Sequence, residues 1–209
     1  MSAQTDPSDA KPQKTCFVTI GATAAFTDLI RAVLSSDFCT ALETQNYTHL
    51  LVQYGQNGKL LFDKCLFNLN TTPTKLQISG FDLDPSGLRH HILRTNAHSP
   101  SLPSGTDAVP GVVISHAGSG TILDCLRVAI PTIVVPNETL LDNHQVELAE
   151  ALAEQEYVVH GRLDGLVGAL EQAEKLRARG KKWPPVNAGV QRQAKGLKGV
   201  MDEEMGFLD

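Results

Sequence analysis

Apolar runs of strand length alternate along this chain with segments whose apolar residues recur at helical spacing. The strand-like runs are residues 16–20, 49–54, 75–79, 111–115, 132–135 and 157–159, and the helical segments are 26–34, 85–93, 121–128, 143–154 and 163–179. Strands that alternate with helices pair in parallel and are joined by right-handed crossovers. The sequence therefore predicts a doubly wound α/β fold with a mostly parallel sheet.

One domain of this kind accounts for most of the 209 residues, of which 42% are apolar. A domain of that size buries a full core without a disulfide or a metal staple. We expect a flexible N-terminus at residues 1–14, the folded domain at 15–180 and a C-terminal helical tail at 181–209. Within the domain, residues 96–110 are rich in proline, serine and threonine, which predicts a loop insertion.

Simple patterns exclude several classes of protein. No apolar run approaches the roughly 18–20 residues that span a bilayer, and the polar N-terminus lacks a secretory signal. The four cysteines are far apart, without a C-x-x-C pair or a histidine at metal-binding spacing. We therefore expect a cytosolic chain with free thiols in a reducing compartment and no structural zinc.

The net charge of −5 is unevenly distributed along the chain. Residues 175–198 hold eight basic side chains and no acidic one. The acidic balance of the chain as a whole argues against general nucleic-acid binding. The basic stretch is either a solvated helix face or a surface that meets an anionic membrane or an acidic partner.

Doubly wound sheets bind ligands at the carboxyl ends of their strands, so the residues that follow each strand are the informative ones. The strongest signal is Ser115-His116-Ala117-Gly118-Ser119-Gly120-Thr121, which ends an apolar strand and opens a helix. Glycines let backbone N–H groups approach an anion, and a helix N-terminus adds partial positive charge, so a diphosphate is the expected ligand. The segment matches neither the Walker pattern nor G-x-G-x-x-G. The alternative interpretation is a tight turn with Ser119 as helix N-cap.

Asp124 lies one turn into that helix. Its carboxylate can accept two hydrogen bonds from a ribose diol, or it is a surface residue that the helix dipole favours. In the loop after the first strand, Gly21 is surrounded by small residues and Thr23 can donate to a phosphate.

A polar cluster at Asn143, His144 and Gln145 follows the strand-like run 132–135. Its uncharged hydrogen-bonding side chains suit the hydroxyl groups of a sugar. The spacing of Asp142 and Gln145 also fits a capping box, which is the structural alternative.

These loops together resemble one protein family. The matching segments are Phe17-Val18-Thr19-Ile20-Gly21-Ala22-Thr23 with Phe26 and Leu29, Val52-Gln53-Tyr54-Gly55, His116-Ala117-Gly118-Ser119-Gly120-Thr121, and Asn137-Glu138-Thr139-Leu140-Leu141-Asp142-Asn143-His144-Gln145. They are similar to the catalytic subunit of the eukaryotic UDP-N-acetylglucosamine transferase of asparagine-linked glycosylation, over about residues 15–165. That family is related to the C-terminal, donor-binding half of GT-B glycosyltransferases, so the resemblance implies a Rossmann-like domain.

The resemblance implies roles for the loop residues. Gly118, Ser119 and Gly120 would hold the UDP diphosphate, Gly21 and Thr23 would line it from the opposite loop, Asp124 would bind the ribose, and Asn143, His144 and Gln145 would contact the donor sugar. Ser115 and Thr121 complete the expected substrate-binding set. His116 at the mouth is the catalytic candidate, as a charge stabiliser. Ala22 stands where the family commonly has a small hydroxyl residue.

The resemblance also implies the reaction and its setting. N-acetylglucosamine would pass from UDP-GlcNAc, a donor substrate, to dolichyl-diphosphate-GlcNAc with inversion at the anomeric carbon, and neither a cofactor nor a metal is expected. A membrane-anchored subunit would supply the acceptor half and the general base, and would recruit this chain to the cytosolic face of the endoplasmic reticulum. Two alternatives stay open, namely a non-catalytic nucleotide-sugar-binding module and a stand-alone soluble UDP-sugar glycosyltransferase.

Overall fold

A computed structural model describes residues 12–22, 24–69, 74–97, 108–138 and 144–179. Strands and helices alternate through these ranges, with one additional helix after the first strand. In chain order the elements are β1 (Gln13–Thr19), α1 (Thr27–Val33), α2 (Ser36–Thr44), β2 (His49–Gln53), α3 (Lys59–Leu69), β3 (Gln77–Phe81), α4 (Arg89–Thr95), β4 (Ala108–Ser115), α5 (Ser119–Arg127), β5 (Thr132–Val134), α6 (His144–Glu154), β6 (Val159–His160) and α7 (Leu166–Arg179).

The strands form one sheet in the order β3-β2-β1-β4-β5-β6, and every neighbouring pair is parallel. This is the strand order of the dinucleotide-binding fold, in which the winding direction reverses between the first and the fourth strand. The predicted doubly wound α/β fold is confirmed, and the reversal places the loops after β1 and β4 next to each other.

Each face of the sheet carries its own hydrophobic layer. Cys16 and Val18 of β1 point into a cluster with α1, α2, α3 and α7, whereas Phe17 packs against α4 and α5 on the opposite face. The alternation follows from the two-residue period of a strand. Since both faces are covered, β1 is buried from Cys16 to Thr19, and the centre of the sheet is fixed on both sides.

Two helices, α2 and α3, lie outside the segments that the apolar spacing predicts. Helix α2 begins after Ser35, whose hydroxyl oxygen accepts a hydrogen bond from the Phe38 N–H at 3.3 Å. Helix α3 carries apolar residues on both its buried and its exposed sides. Phe62 is buried, whereas Leu60 and Phe67 are 85% and 74% exposed. An apolar pattern without one clear stripe is a weak helix signal.

Some element ends differ from the predicted ones. Strand β1 begins at Gln13, inside the segment expected to be flexible, because Gln13 and Lys14 pair with Ala108 and Val109 of β4. The same pairing moves residues 108–110 from the expected insertion into β4. Helix α4 begins at Arg89 rather than near residue 85, which lies in a turn. Residues 98–107 and the expected helical tail lie outside the described residues.

A charged cluster fastens α7 to β1. Glu174 accepts hydrogen bonds from the Lys14 ammonium group at 3.1 Å and from the Tyr47 hydroxyl at 2.6 Å. The Lys14 and Glu174 side chains are only 10% and 17% exposed, so this ion pair is largely shielded from water. Its hydrogen bonds tie the end of the described chain to the first strand.

Arg177 completes that cluster. It donates to Glu174 at 3.1 Å and to the carbonyl oxygen of Gly111 at 2.6 Å. Arg177 is one of the eight basic residues in the stretch 175–198. Arg177 is therefore neither part of a solvated helix face nor free to meet a membrane or a partner, because its side chain binds groups within the domain.

The cysteines agree with the expectation of free thiols. All four are unpaired, and Cys16, Cys39 and Cys125 are buried. None of the helices in the described ranges has the length and apolar content to cross a membrane.

Candidate functional site

The loops after β1 and β4 meet where the strand order reverses. Thr19 and Ser115 are paired at the ends of these strands, and the His116 N–H continues the ladder to the Thr19 carbonyl at 3.2 Å. A crevice at such a switch point, outside the carboxyl ends of the strands, is the usual ligand site of a doubly wound sheet. The site is therefore built from the first residues beyond each of the two central strands.

The start of α5, directly after β4, has backbone N–H groups without an acceptor among the described residues. Gly118 is the N-cap residue, no side chain caps the helix, and the first helical hydrogen bond runs from the Ile122 N–H to the Gly118 carbonyl at 3.1 Å. The N–H groups of Ser119, Gly120 and Thr121 have no backbone acceptor within the described part of the chain. Three such donors and the helix dipole make an anion-binding position. The alternative that makes Ser119 the N-cap is wrong, because Ser119 is the first helical residue.

The His116 ring is held between two glycines. A Cβ atom at Gly21 would lie 2.5 Å from the ring atom Cε1, and one at Gly118 would lie 2.4 Å from Nε2. Gly21 also has a φ of +80°, which disfavours other residues. A Cβ at Gly120, in contrast, would meet nothing within 4 Å. Packing of the ring thus explains Gly21 and Gly118, whereas no packing contact requires a glycine at position 120.

Burial lowers the pKa of His116, and the Thr19 carbonyl opposes this effect only in part. A lowered pKa favours the neutral ring at pH 7, and the expected role of His116 as a charge stabiliser stays a prediction. Its Nδ1 atom is buried and has no hydrogen-bond partner among the described residues. A buried polar atom without a partner costs about 1–3 kcal/mol, so a ligand group that pairs with Nδ1 would be favoured.

A buried polar network fixes the loop after β1. The Thr19 hydroxyl donates to the Gln53 side-chain oxygen, the Gln53 amide donates to the Gly21 carbonyl at 3.2 Å, and the Gly21 N–H donates to the Thr19 hydroxyl at 3.2 Å. Thr19 and Gln53 are 0% and 2% exposed. Neither residue is among the predicted site residues, although a glutamine at the end of an otherwise apolar strand is the signal that would identify this network.

Ser115 does not face the crevice. Its side chain is buried, and its hydroxyl donates to the His116 carbonyl at 2.7 Å. The predicted contact between Ser115 and a ligand is therefore not favoured, because the hydroxyl is already engaged in holding the turn before α5.

Asp124 lies on the side of α5 that faces α4. Its Oδ1 atom accepts a hydrogen bond from Arg127 at 3.0 Å and lies 3.8 Å from the guanidinium of Arg89. The Asp124 side chain is 29% exposed, and both arginines are more exposed than that. The carboxylate is thus accessible, and its predicted ribose contact stays a prediction beside the alternative of a surface ion pair.

The sugar-binding residues expected before and in α6 are only partly described. Asn143 lies outside the described residues, as does Thr23, which is expected to line the diphosphate from the loop after β1. His144 begins α6 with its side chain 71% exposed and its Nδ1 3.7 Å from Glu147. The Gln145 side-chain oxygen accepts a hydrogen bond from the Asn137 N–H at 3.0 Å, which links α6 to the loop after β5. This bond is not part of a capping box, because Asn137 lies outside the Asp142–Gln145 pair.

Two cavities flank these loops. One, of about 130 Å³, lies between the loops after β1 and β2 and is lined by Gly21, Phe26 and Gly55. The other, of about 260 Å³, lies beside the loop after β5 and is lined by Phe26, Asn137 and Arg162. The loops after β1 and β5 are further linked by a long hydrogen bond, 3.5 Å, from the Asn137 amide to the Ala25 carbonyl. The loops after β2, β1, β4 and β5, four neighbouring strands of the sheet, therefore border one edge.

The parallel sheet of this order, with an uncapped helix start at its switch point, is that of a Rossmann-like doubly wound domain. The chain belongs to the glycosyltransferase family 28 C-terminal domain family, which it matches over residues 15–182. The family resemblance inferred from the loop motifs is thereby confirmed.

Curated relatives agree with this assignment. The chain is 32% identical to the UDP-N-acetylglucosamine transferase subunit ALG13 of Saccharomyces cerevisiae over 79% of its own length and 88% of the relative. It is 33% identical to the subunit of the same name from Cryptococcus neoformans, over 92% and 97% of the two chains. The solution structure of ALG13 is 29% identical, covers 78% of this chain and 87% of that one, and superposes with a TM-score of 0.58.

Proposed function

We propose that this chain is the donor-binding, catalytic subunit of an enzyme that transfers N-acetylglucosamine from UDP-GlcNAc to dolichyl-diphosphate-GlcNAc. The observation that carries the proposal is the set of three N–H groups at the start of α5, which have no acceptor among the described residues and follow the strand at which the sheet order reverses. A diphosphate is the anion that best uses several convergent backbone donors and a helix dipole. The names of the relatives supply the nucleotide and the sugar.

In the proposed complex the donor lies along the carboxyl edge of the sheet. The diphosphate accepts hydrogen bonds from Ser119, Gly120 and Thr121, and the ribose hydroxyls donate to Asp124. The sugar lies toward residues 143–145, where His144 and the amide of Gln145 offer hydrogen bonds. This placement spans the loops after β1, β4 and β5, which border one edge.

In the proposed reaction the acceptor hydroxyl attacks the anomeric carbon from the face opposite the diphosphate. The bond from the anomeric carbon to the diphosphate oxygen breaks, UDP departs, and the configuration inverts to a β1,4 linkage. Negative charge grows on the departing diphosphate, and the α5 N–H groups are already aligned to stabilise it. His116, whose pKa burial lowers, offers a ring hydrogen bond to the donor.

The same proposal assigns the acceptor side to a partner. GT-B catalysis needs a second Rossmann-like half for the acceptor, whereas the described residues form one sheet. The relatives are named as subunits, which supports an assembly. We place the acceptor half and the base that removes the hydroxyl proton on a membrane-anchored subunit, which holds this chain at the cytosolic face of the endoplasmic reticulum.

Reconstituted transfer tests the proposal. The purified chain is incubated with UDP-GlcNAc and a lipid-diphosphate-GlcNAc acceptor, with and without membranes that contain the partner subunit. We expect product only when this chain and the partner subunit are present together. A chain with Gly120→Ala serves as the donor-site control. Robust transfer by the chain alone would establish the stand-alone transferase instead. Donor binding without transfer in the complete mixture would favour the non-catalytic binding module.

A further inference from the structure

Three potential metal ligands converge between β3 and α4. The Oδ2 atom of Asp84 lies 3.2 Å from Nε2 of His90 and 3.1 Å from Nε2 of His91. One donor atom from each residue lies within 4.8 Å of the others. This cluster is separate from the start of α5, which holds the proposed donor site. Two adjacent histidines form no standard metal-binding motif, so the sequence alone does not predict this cluster.

The distances match the donor spacing around a small divalent ion. Zinc binds imidazole nitrogen and carboxylate oxygen at about 2.0–2.2 Å, so neighbouring donors in a tetrahedral site lie about 3.3–3.5 Å apart. The contacts from Asp84 Oδ2 to the two imidazole nitrogens are only slightly shorter than this. Two imidazoles and a carboxylate also form a donor set suited to zinc and neighbouring transition metals.

Two of the three ligands are held in place by their surroundings. The Oδ1 atom of Asp84 accepts the Ser86 N–H at 2.9 Å, which leaves Oδ2 directed toward the histidines. The His91 ring stacks on Phe81 at 4.4 Å and packs against Phe17 at 5.4 Å between ring centroids. Ligands fixed by such neighbouring contacts lose less conformational entropy when a metal binds.

The third ligand faces solvent. The His90 side chain is 41% exposed, compared with 13% for His91 and 21% for Asp84. A metal can therefore enter from the surface and keep a water in its fourth position, which is the arrangement of a three-ligand zinc site. In a purely hydrogen-bonded cluster, both imidazoles would have to donate to the same Asp84 oxygen.

The geometry points to a divalent transition-metal site formed by Asp84, His90 and His91, with zinc as the best-suited ion. A metal at this position joins the turn 82–88 to the first turn of α4. That turn of α4 also carries Arg89, which lies 3.8 Å from Asp124. The proposed metal site is formed by these three residues alone, so it does not depend on the proposed transfer reaction.

Metal titration tests this inference. The chain is prepared without a polyhistidine tag, stripped with chelator, and titrated with Zn²⁺ in competition with a chromophoric chelator. We expect one tight equivalent per chain, and Co²⁺ in its place should show the visible absorption of a tetrahedral site. Asp84→Asn and His90→Gln should each weaken zinc binding at least tenfold. Asparagine retains an oxygen for the Ser86 N–H, and His90 is exposed, so both variants should fold.

The matched control is His160→Gln, which removes one imidazole from β6, far from this cluster in the sheet order. It should leave zinc affinity and the cobalt spectrum unchanged. Circular dichroism of the metal-free variants verifies that each one is folded. Wild-type binding no tighter than that of the Asp84→Asn and His90→Gln variants would overturn the inference, as would an equal loss in the control.

Discussion

At the scale of single residues, the three glycines of the crevice have different functions. Gly21 and Gly118 make room for the His116 ring on its two sides, whereas Gly120 leaves open space. All three are compatible with the diphosphate interpretation of the sequence. Only the placement of the ring separates a glycine that packing requires from one that ligand access requires.

Alanine substitutions should separate these two functions. Gly118→Ala places a methyl group against the His116 ring, which cannot move away because Gly21 lies on its other side. We therefore expect a loss of about 1–3 kcal/mol in the free energy of unfolding. Gly120→Ala lies in a helix turn with free space, so the unfolding free energy should stay equal or rise by up to about 1 kcal/mol. Its affinity for UDP-GlcNAc should nevertheless fall at least tenfold.

Chemical denaturation and calorimetric titration of the two variants measure these effects. A Gly120→Ala chain with wild-type donor affinity would remove Gly120 from the diphosphate site. A Gly118→Ala chain as stable as wild type would contradict the packing role of that glycine.

Asp124 provides the second prediction at this scale. Asp124→Ala removes a partly exposed ion pair, which contributes about 0–1 kcal/mol to stability. If the carboxylate binds the ribose, its loss removes charge-assisted hydrogen bonds worth about 1.5–3 kcal/mol, which corresponds to a roughly 10- to 100-fold weaker donor. Calorimetry with UDP-GlcNAc measures the change, and Arg127→Gln is the matched control. Unchanged affinity in Asp124→Ala would support the surface-residue alternative.

At the scale of strands and helices, the sequence predicts the sheet well because the buried strands are short, apolar and bounded by glycines or polar loops. It misses α3, since Leu60 and Phe67 lie on its exposed side and obscure the buried stripe. It also places the start of β1 too late. The pairing of Gln13 and Lys14 depends on residues almost a hundred positions away, which no local pattern records.

The link between β1 and α7 yields a prediction of pH dependence. Burial acts to raise the pKa of Glu174, but the Tyr47 hydroxyl and the charges of Arg177 and Lys14 together hold it below its ordinary value. A carboxyl group with a lowered pKa in the folded state stabilises the protein above its unfolded pKa of about 4.3, and that contribution is lost as the pH falls further.

Glu174→Gln should therefore cost about 2–3 kcal/mol near pH 7, because it leaves the buried Lys14 without its counter-charge. The difference from wild type should shrink as the pH falls below about 4.3. Urea unfolding at several pH values measures it. The exposed Glu171→Gln on the same helix should change stability by less than about 0.5 kcal/mol. A Glu174→Gln deficit that is the same at pH 3 and pH 7 would contradict the ionic account.

At the scale of the whole molecule, the strand order brings together loops that are separated by up to about 120 residues in the chain. The sequence motifs predict these loops as the functional edge, and in the structure they follow neighbouring strands of one parallel sheet. They do not reveal the burial of Ser115, the lowered pKa of His116 or the Thr19–Gln53 network, because each depends on contacts between different strands. The chain has the sheet of a glycosyltransferase family 28 C-terminal domain, and we propose that it binds the donor and carries out transfer together with a second subunit.

The most direct test of this account is an NMR titration of the ¹⁵N-labelled chain with UDP-GlcNAc. The unpaired N–H groups at the start of α5 are the claimed diphosphate donors. We predict that the amide resonances of Ser119, Gly120 and Thr121 show the largest changes, that Gly21 follows, and that Val159 and His160 of β6 stay unchanged. Largest changes elsewhere in the chain, or unshifted α5 amides at a saturating donor concentration, would contradict the account.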